Sequence, residues 1–246
     1  MEQEIRLDAT TEEMLLDLTP IEPALVVEYR VAEEVVAPQQ GLLGAAWWQL
    51  AIKRTLDIVM SALAIVVLTP LLLAVALLVM ITSLGPVFYV HERVGRSGQP
   101  FRMIKFRSMY RNSHDLREEH LGQNMHQGPI FKIRDDPRIT PVGRAIRKLS
   151  IDELPQFFNV LMGHMSLVGP RPALPEEFLD YTDRERERLR VKPGVTCIWQ
   201  VSGRSDIDFN TWVDMDLEYI ETWSLLLDLK LLVRTVPAVL TGRGAY

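Results

Sequence analysis

From Ile58 to Ile81 the chain reads IVMSALAIVVLTPLLLAVALLVMI, an apolar run interrupted only by Ser61, Thr69 and Pro70. As a helix, a segment of this length reaches about 36 Å at ~1.5 Å per residue, enough for a hydrocarbon core of ~30 Å. Pro70, near the midpoint, removes a backbone donor and clashes one turn back. The helix is therefore expected to bend there, with the Thr69 hydroxyl available to a freed carbonyl.

Both flanks are positive. Lys53 and Arg54 precede the run, and His91, Arg93, Arg96, Arg102, Lys105 and Arg107 follow it. The positive-inside bias draws both ends to the cytoplasm, which a re-entrant helix satisfies and a single span does not. An ordinary kinked transmembrane helix also fits the length, and charge alone leaves both open. Trp47 and Trp48 suit the headgroup layer, with Lys53 and Arg54 at its aqueous edge.

The net charge of −5 conceals two parts of opposite sign, because residues 1–40 hold ten acids and two bases. Those residues are too acidic to be a signal peptide and read as a partly disordered extension over 1–45, helical near Glu12 to Leu18 and strand-like at ALVVEYRV. Residues 91–150 carry 13 Lys and Arg against 6 acids. A basic body beside an apolar segment suits anionic lipid and phosphate ligands, and no nucleic-acid motif accompanies it. The single cysteine, Cys197, excludes a disulfide framework and reads as a small buried residue. The five histidines lack metal-ligand spacing and are assigned to surfaces or interfaces, and Trp199, Trp212 and Trp223 to packing or interface anchoring.

Beyond residue 85, PVFYVHERVG and PFRMIKFRSMY are β-prone. DELPQFFNVLMG, TDRERERLR and FNTWVDMDLEYIETWSLLLDLKLLVRTVPAVL read as helical. In the last, Asp228, Lys230 and Arg234 interrupt a crowded apolar side, as in a helix lying in the membrane interface. These assignments divide the chain into the extension (1–45), a membrane helix region (46–84) and a catalytic domain (85–246).

RAIRKLSIDELPQFFNVLMGHMSLVGPRP carries the chemistry. Adjacent carboxylates, Asp152 and Glu153, open a helix, and Ser150 with Glu153 fits an S-x-x-E capping box with no catalytic role. Against that stand Arg144, Arg147 and Lys148 just upstream and Arg171 between two prolines. A carboxylate at a helix start among arginines stays ionised, and the same field holds phosphate beside it, which suits aspartyl-phosphate formation. Glycoside hydrolysis fits poorly, since its carboxyls flank a sugar from opposite faces.

These stretches resemble the bacterial sugar transferases, the monotopic phosphoglycosyl transferases. In order they are KRTLDIV, the Pro-interrupted apolar run, ERVGRSGQPFRMIKFRSM, DDPRITPVGRAIRKLSIDELPQFFNVLMGHMSLVGPRP, VKPGVTCIWQVSGRS and DMDLEYIETWSLLLDLKLL. The resemblance implies a mainly α protein with minor β, monotopic at the cytoplasmic face of the bacterial inner membrane. A Pro-broken re-entrant helix and amphipathic interfacial helices would surround a small catalytic domain.

It also implies that Asp152 attacks the sugar-bearing phosphate of a UDP-sugar, releases UMP, and passes hexose 1-phosphate to polyprenyl (undecaprenyl) phosphate. Glu153 would assist the nucleophile or Mg²⁺, which is held by Asp152, Glu153 and substrate phosphates. Lys105, Arg147, Arg171, Arg93, Arg204 and Asp216 correspond to substrate-site positions, and Thr69–Pro70 to the helix break. The family often has Gly where this chain has Cys197, and more usually Ser where it has Thr69. RGAY and IWQVSGRS lean toward glucose or galactose donors in exopolysaccharide synthesis. The alternatives are a membrane-anchored scaffold binding anionic lipid and a nucleotide-sugar phosphohydrolase. The sequence leaves the sugar and a homodimer open.

Overall fold

The computed structural model describes residues 41–83, 85–110, 113, 133, 136–203 and 207–242. The extension up to residue 40, with its expected helix and strand, lies outside the described residues. Helix α1 (Trp47–Thr82) comes first. An antiparallel hairpin of β1 (Phe88–Val94) and β2 (Pro100–Phe106) follows, then α2 (Pro141–Lys148), a 3-10 turn at Ile151–Glu153, and α3 (Gln156–Met162). Strand β3 (Ser166–Val168) leads through α4 (Pro175–Leu179), α5 (Asp183–Arg186) and a 3-10 turn at Glu187–Arg190 to its parallel partner β4 (Gly194–Thr196). Helices α6 (Ile198–Ser202), α7 (Phe209–Thr222) and α8 (Leu225–Thr241) complete a mainly helical fold with two small sheets.

Helix α1 stays helical through Pro70. The carbonyl that loses its donor is that of Val66, one turn back. The Thr69 hydroxyl instead donates to the Ile65 carbonyl at 2.7 Å, an i−4 contact of the kind that bends helices. The middle of α1 faces outward, with Val66 71% and Leu73 66% exposed. Among the described residues it is the one helix long and apolar enough to cross a membrane.

Both ends of α1 dock on the body. Near its start, Arg54 donates to the Val160 and Leu161 carbonyls at 2.7 and 2.9 Å, satisfying the end of α3. Asp57 accepts from the Leu167 amide (2.9 Å) and the Ser166 hydroxyl (3.1 Å). Near its end, Val75 and Val79 are buried in a cluster with Val87, Phe106 and Ile146, and Arg107 donates to the Ser83 carbonyl.

Two charges expected at interfaces are buried anchors instead. Lys53 donates to Asp228 at 2.7 Å and to the Val168 carbonyl at 3.1 Å, joining α1, α8 and β3. The Tyr219 hydroxyl (2.8 Å) and Trp223 indole (3.1 Å) complete the shell around Asp228. Burial of so polar a group is tolerable because the network supplies its partners. The long C-terminal helical stretch is divided after Thr222, where the Ser224 side chain caps α8 by accepting from the Leu227 amide. Along α8, Leu226, Leu229, Val233, Val236 and Leu240 form an exposed stripe at helical spacing, as expected of an interfacial helix. Cys197, Trp199, Trp212 and Trp223 are buried, as their packing assignment requires.

Candidate active site

The dyad follows α2. That helix starts where the Thr140 hydroxyl accepts from the Gly143 amide at 2.8 Å, with Pro141 preset at its first position. Gly143 is required by space, because a Cβ there would lie 1.9 Å from the Ser108 carbonyl oxygen. After α2, Ser150 turns left-handed (φ 52°, ψ 24°) and throws Asp152 and Glu153 into a 3-10 turn. The Ser150 side chain makes no capping hydrogen bond, so the capping-box reading fails. Glu153 reaches Lys105 at 2.7 Å and Arg171 at 3.7 Å instead.

Two backbone devices bring those cations to it. In the hairpin, Tyr89 pairs with Lys105, His91 with Met103 and Arg93 with Phe101, so strand alternation sets Arg93, Met103 and Lys105 on one face. Asn159 holds α3 against β2 by accepting from the Ile104 amide (3.0 Å) and donating to the Arg102 carbonyl (2.6 Å). Arg171 sits in a loop whose two prolines lack amide donors but whose carbonyls are all engaged. Pro170 accepts from Gly194 N–H (2.9 Å), Arg171 from Arg188 (3.2 Å), Pro172 from Arg93 (3.3 Å) and Ala173 from Val94 N–H (2.9 Å). Such a loop presents its arginine with little freedom left to lose on binding.

Arg93, Lys105, Glu153 and Arg171 thus line one cleft, together with Gln156 and Gln200. Asp152 is buried beside it at 7% exposure and has no ion pair among the described residues. Its carboxyl is pushed up to about 6 by burial and then by the neighbouring Glu153 charge, with Lys105 and Arg147 opposing. Glu153 goes the other way. Burial would raise it, but Lys105 and Arg171 hold it down at about 2. The expectation that neighbouring cations favour ionised Asp152 holds in direction, since Lys105 and Arg147 lower its carboxyl, but burial and the Glu153 charge outweigh them. Burial lowers the Lys105 ammonium against Glu153, and burial with Arg171 lowers Arg93 to about 10.

The other expected residues divide. Arg147 is half-buried at the end of α2 and acts on the dyad through its charge, without lining the cleft. Asp216 belongs neither to the cleft nor to a solvated face. It is fully buried, bonded to Arg188 at 2.8 and 2.7 Å, and burial pushes it up to about 6 against that arginine. Through Arg188 it supports the Arg171 carbonyl. Arg204 lies outside the described residues, and Thr69 and Pro70 sit on the outward face of α1. Cys197 is extended (φ −151°, ψ 176°), a conformation that asks for no glycine. Arg188, Gln156 and Asn159 escaped the sequence reading. Arg188 is hidden in the charge run RERERLR, and the two carboxamides carry no motif of their own.

A family model described as bacterial sugar transferase matches residues 48–242. The chain is similar to the exopolysaccharide production protein ExoY of Sinorhizobium fredii, 42% identical over 198 residues, or 79% of this chain and 88% of the relative. It is similar to the undecaprenyl-phosphate galactose phosphotransferase of Salmonella typhimurium, 46% identical over 203 residues, or 79% of this chain and 42% of the relative. It is also similar to the undecaprenyl-phosphate glucose phosphotransferase of Komagataeibacter xylinus, 40% identical over 210 residues, or 81% of this chain and 38% of the relative.

Proposed function

The chain belongs to the bacterial sugar transferase family, and on that premise we propose that it moves hexose 1-phosphate from a UDP-sugar to polyprenyl phosphate through Asp152. An Asp152 oxygen forms a bond to the sugar-bearing phosphorus as the bridging P–O bond breaks and its electron pair leaves with UMP. An oxygen of the carrier phosphate then attacks the same phosphorus, and the aspartyl–phosphorus bond breaks to regenerate Asp152. The observation that supports this reading is the division of labour in the dyad: Glu153 pairs with Lys105 and Arg171, while Asp152, buried next to it, has no ion pair among the described residues. A carboxylate with its pKa raised to about 6 is more basic, hence more nucleophilic, than an ordinary one, and is still largely ionised at pH 7. Arg93, Lys105 and Arg171 supply fixed positive charge where the breaking diphosphate develops negative charge.

Mg²⁺ is the proposed cofactor. Asp152 and Glu153, two adjacent carboxylates, would hold it together with diphosphate oxygens and water, since Mg²⁺ needs few protein ligands. When bound, it would neutralise charge on the donor phosphates.

The proposed topology is monotopic, with α1 bent at Pro70 and both ends at the cytoplasmic face. A straight helix would separate Arg54 from Val79 by about 37 Å. Their docking partners are much closer: Arg54 holds Val160, next to Asn159, which bonds Ile104, two residues from Phe106 in the cluster around Val79. Cysteines at Gly44 and Gln99, in a Cys197→Ala background, should label from the same side of a vesicle. Labelling from opposite sides would overturn the topology.

The function is tested by incubating the protein with UDP-hexoses, polyprenyl phosphate and Mg²⁺ and measuring UMP. Release from at least one donor, lost in Asp152→Asn, is the expected result. No UMP from any donor, or unchanged release from the variant, would reject the mechanism. Release that ignores the lipid acceptor would indicate a phosphohydrolase.

A further inference from the structure

We infer that the Gln156 carboxamide is a specificity-determining contact that reads the hydroxyl groups of the donor sugar. This rests on the transferase reading and names what selects its substrate. Gln156 lines the cleft, is only 3% exposed, and has no hydrogen-bond partner among the described residues. It lies three residues after Glu153 on a continuous 3-10 to α turn, so both side chains emerge on one side, into the cleft.

Asn159, one turn further along α3, shows what a buried carboxamide does when its role is structural. Its oxygen and its nitrogen are both bonded to β2 backbone, and it is fully buried. Gln156 has nothing comparable among the described residues, and its side chain is left to face the cleft. A partner that arrives with the substrate can use that carboxamide.

The chemistry of the cleft narrows the partner. Arg93, Lys105 and Arg171 only donate, and ionised Glu153 only accepts. A phosphate oxygen accepts only, and three cations already serve it. A sugar hydroxyl both donates and accepts, and the carboxamide can do the same at its two ends. A site that hydrogen-bonds a substrate hydroxyl rejects analogues that misplace it far better than an apolar pocket does.

The experiment uses full-length protein in nanodiscs in an Asp152→Asn background, which prevents turnover, and measures Kd for UDP, UDP-glucose and UDP-galactose by calorimetry. The expected result is that the preferred UDP-hexose binds more tightly than UDP. Adding Gln156→Met should weaken that UDP-hexose about 10- to 100-fold. It should leave UDP within about twofold, and the glucose–galactose difference should collapse. An unchanged Kd for the UDP-hexose, an equal loss for UDP, or a parent that binds UDP-hexose no better than UDP would each overturn the inference. Where Gln156→Met fails to fold, Gln156→Asn is read for the same ratio. If wild-type protein releases no UMP from any donor, the transferase reading falls, while these binding ratios still decide the role of Gln156.

Discussion

Replacing Arg188 by methionine separates holding the fold from placing a cation of the cleft. Arg188 and Asp216 have side chains 4% and 0% exposed, and the guanidinium also bonds the Tyr181 hydroxyl (3.0 Å) and the Arg171 carbonyl (3.2 Å). Removing one partner of such a pair strands a buried charge, which costs about 3–5 kcal/mol. At roughly 2–4 °C per kcal/mol for a chain of this size, unfolding should come about 6–20 °C earlier. The Arg188→Met/Asp216→Leu double variant removes both charges and should recover to within about 1–2 kcal/mol of wild type, because an apolar pair of similar volume replaces a buried ion pair at little cost. Activity should not recover with it, since the Arg171 carbonyl still lacks its anchor. With Arg171 only 3.7 Å from Glu153, a displacement of about 1 Å is enough to lower UMP release ~100-fold. Denaturant unfolding in detergent, followed by tryptophan fluorescence, is measured beside UMP release. A double variant that regains stability and activity together would refute the positioning argument, and a single variant that loses under about 1 kcal/mol would refute the energetics.

Further outcomes follow from the same geometry. With Asp152 pushed up to about 6, UMP release should rise with pH through that value and level above it. In Glu153→Gln the residual activity should rise at lower pH, though not as low as for a free carboxyl, since burial outweighs Glu153 in raising Asp152. Because the folded-state value is raised, the stability Asp152 contributes is present below its unfolded value and lost as pH climbs through about 6. Asp152→Asn should therefore raise the unfolding midpoint more at pH 8 than at pH 4.5. Lys53→Met strands Asp228 and should cost about 3 kcal/mol by the same denaturant assay. Pro70→Ala restores the missing donor and should straighten α1, moving the Gly44 and Gln99 labels to opposite sides of the vesicle.

What the sequence disclosed was whatever is local in the chain. The apolar run, the β-prone stretches of the hairpin and the adjacency of Asp152 and Glu153 depend on neighbours within a few residues. Lys105, Arg171 and Arg93 were recognisable only through ordered motifs, because nothing in KFRSM or GPRP says that a hairpin register and an Asn159 bridge will bring them together. Asp216 was assigned to the site, but its link through Arg188 was invisible, since one more arginine in RERERLR looks like solvated charge. Lys53 and Asp228, 175 positions apart, looked like independent surface charges, and only the fold pairs them. Helix propensity likewise carried no sign of the division after Thr222, where the Ser224 cap and the buried Trp223 decide the matter.

The dyad itself illustrates why adjacency in sequence says little about charge. Asp152 and Glu153 share a turn, a burial and a positive surrounding, yet their carboxyls are driven in opposite directions. The longer glutamate reaches across to the hairpin face and takes Lys105 and Arg171, and its settled negative charge then opposes ionisation of the shorter aspartate behind it. Were the two residues exchanged, the acid reaching Lys105 would be one methylene too short and the acid at position 152 one too long. The order Asp-Glu thus sets a cation-holding carboxylate beside Lys105 and Arg171 and a more basic one, without an ion pair among the described residues, next to it.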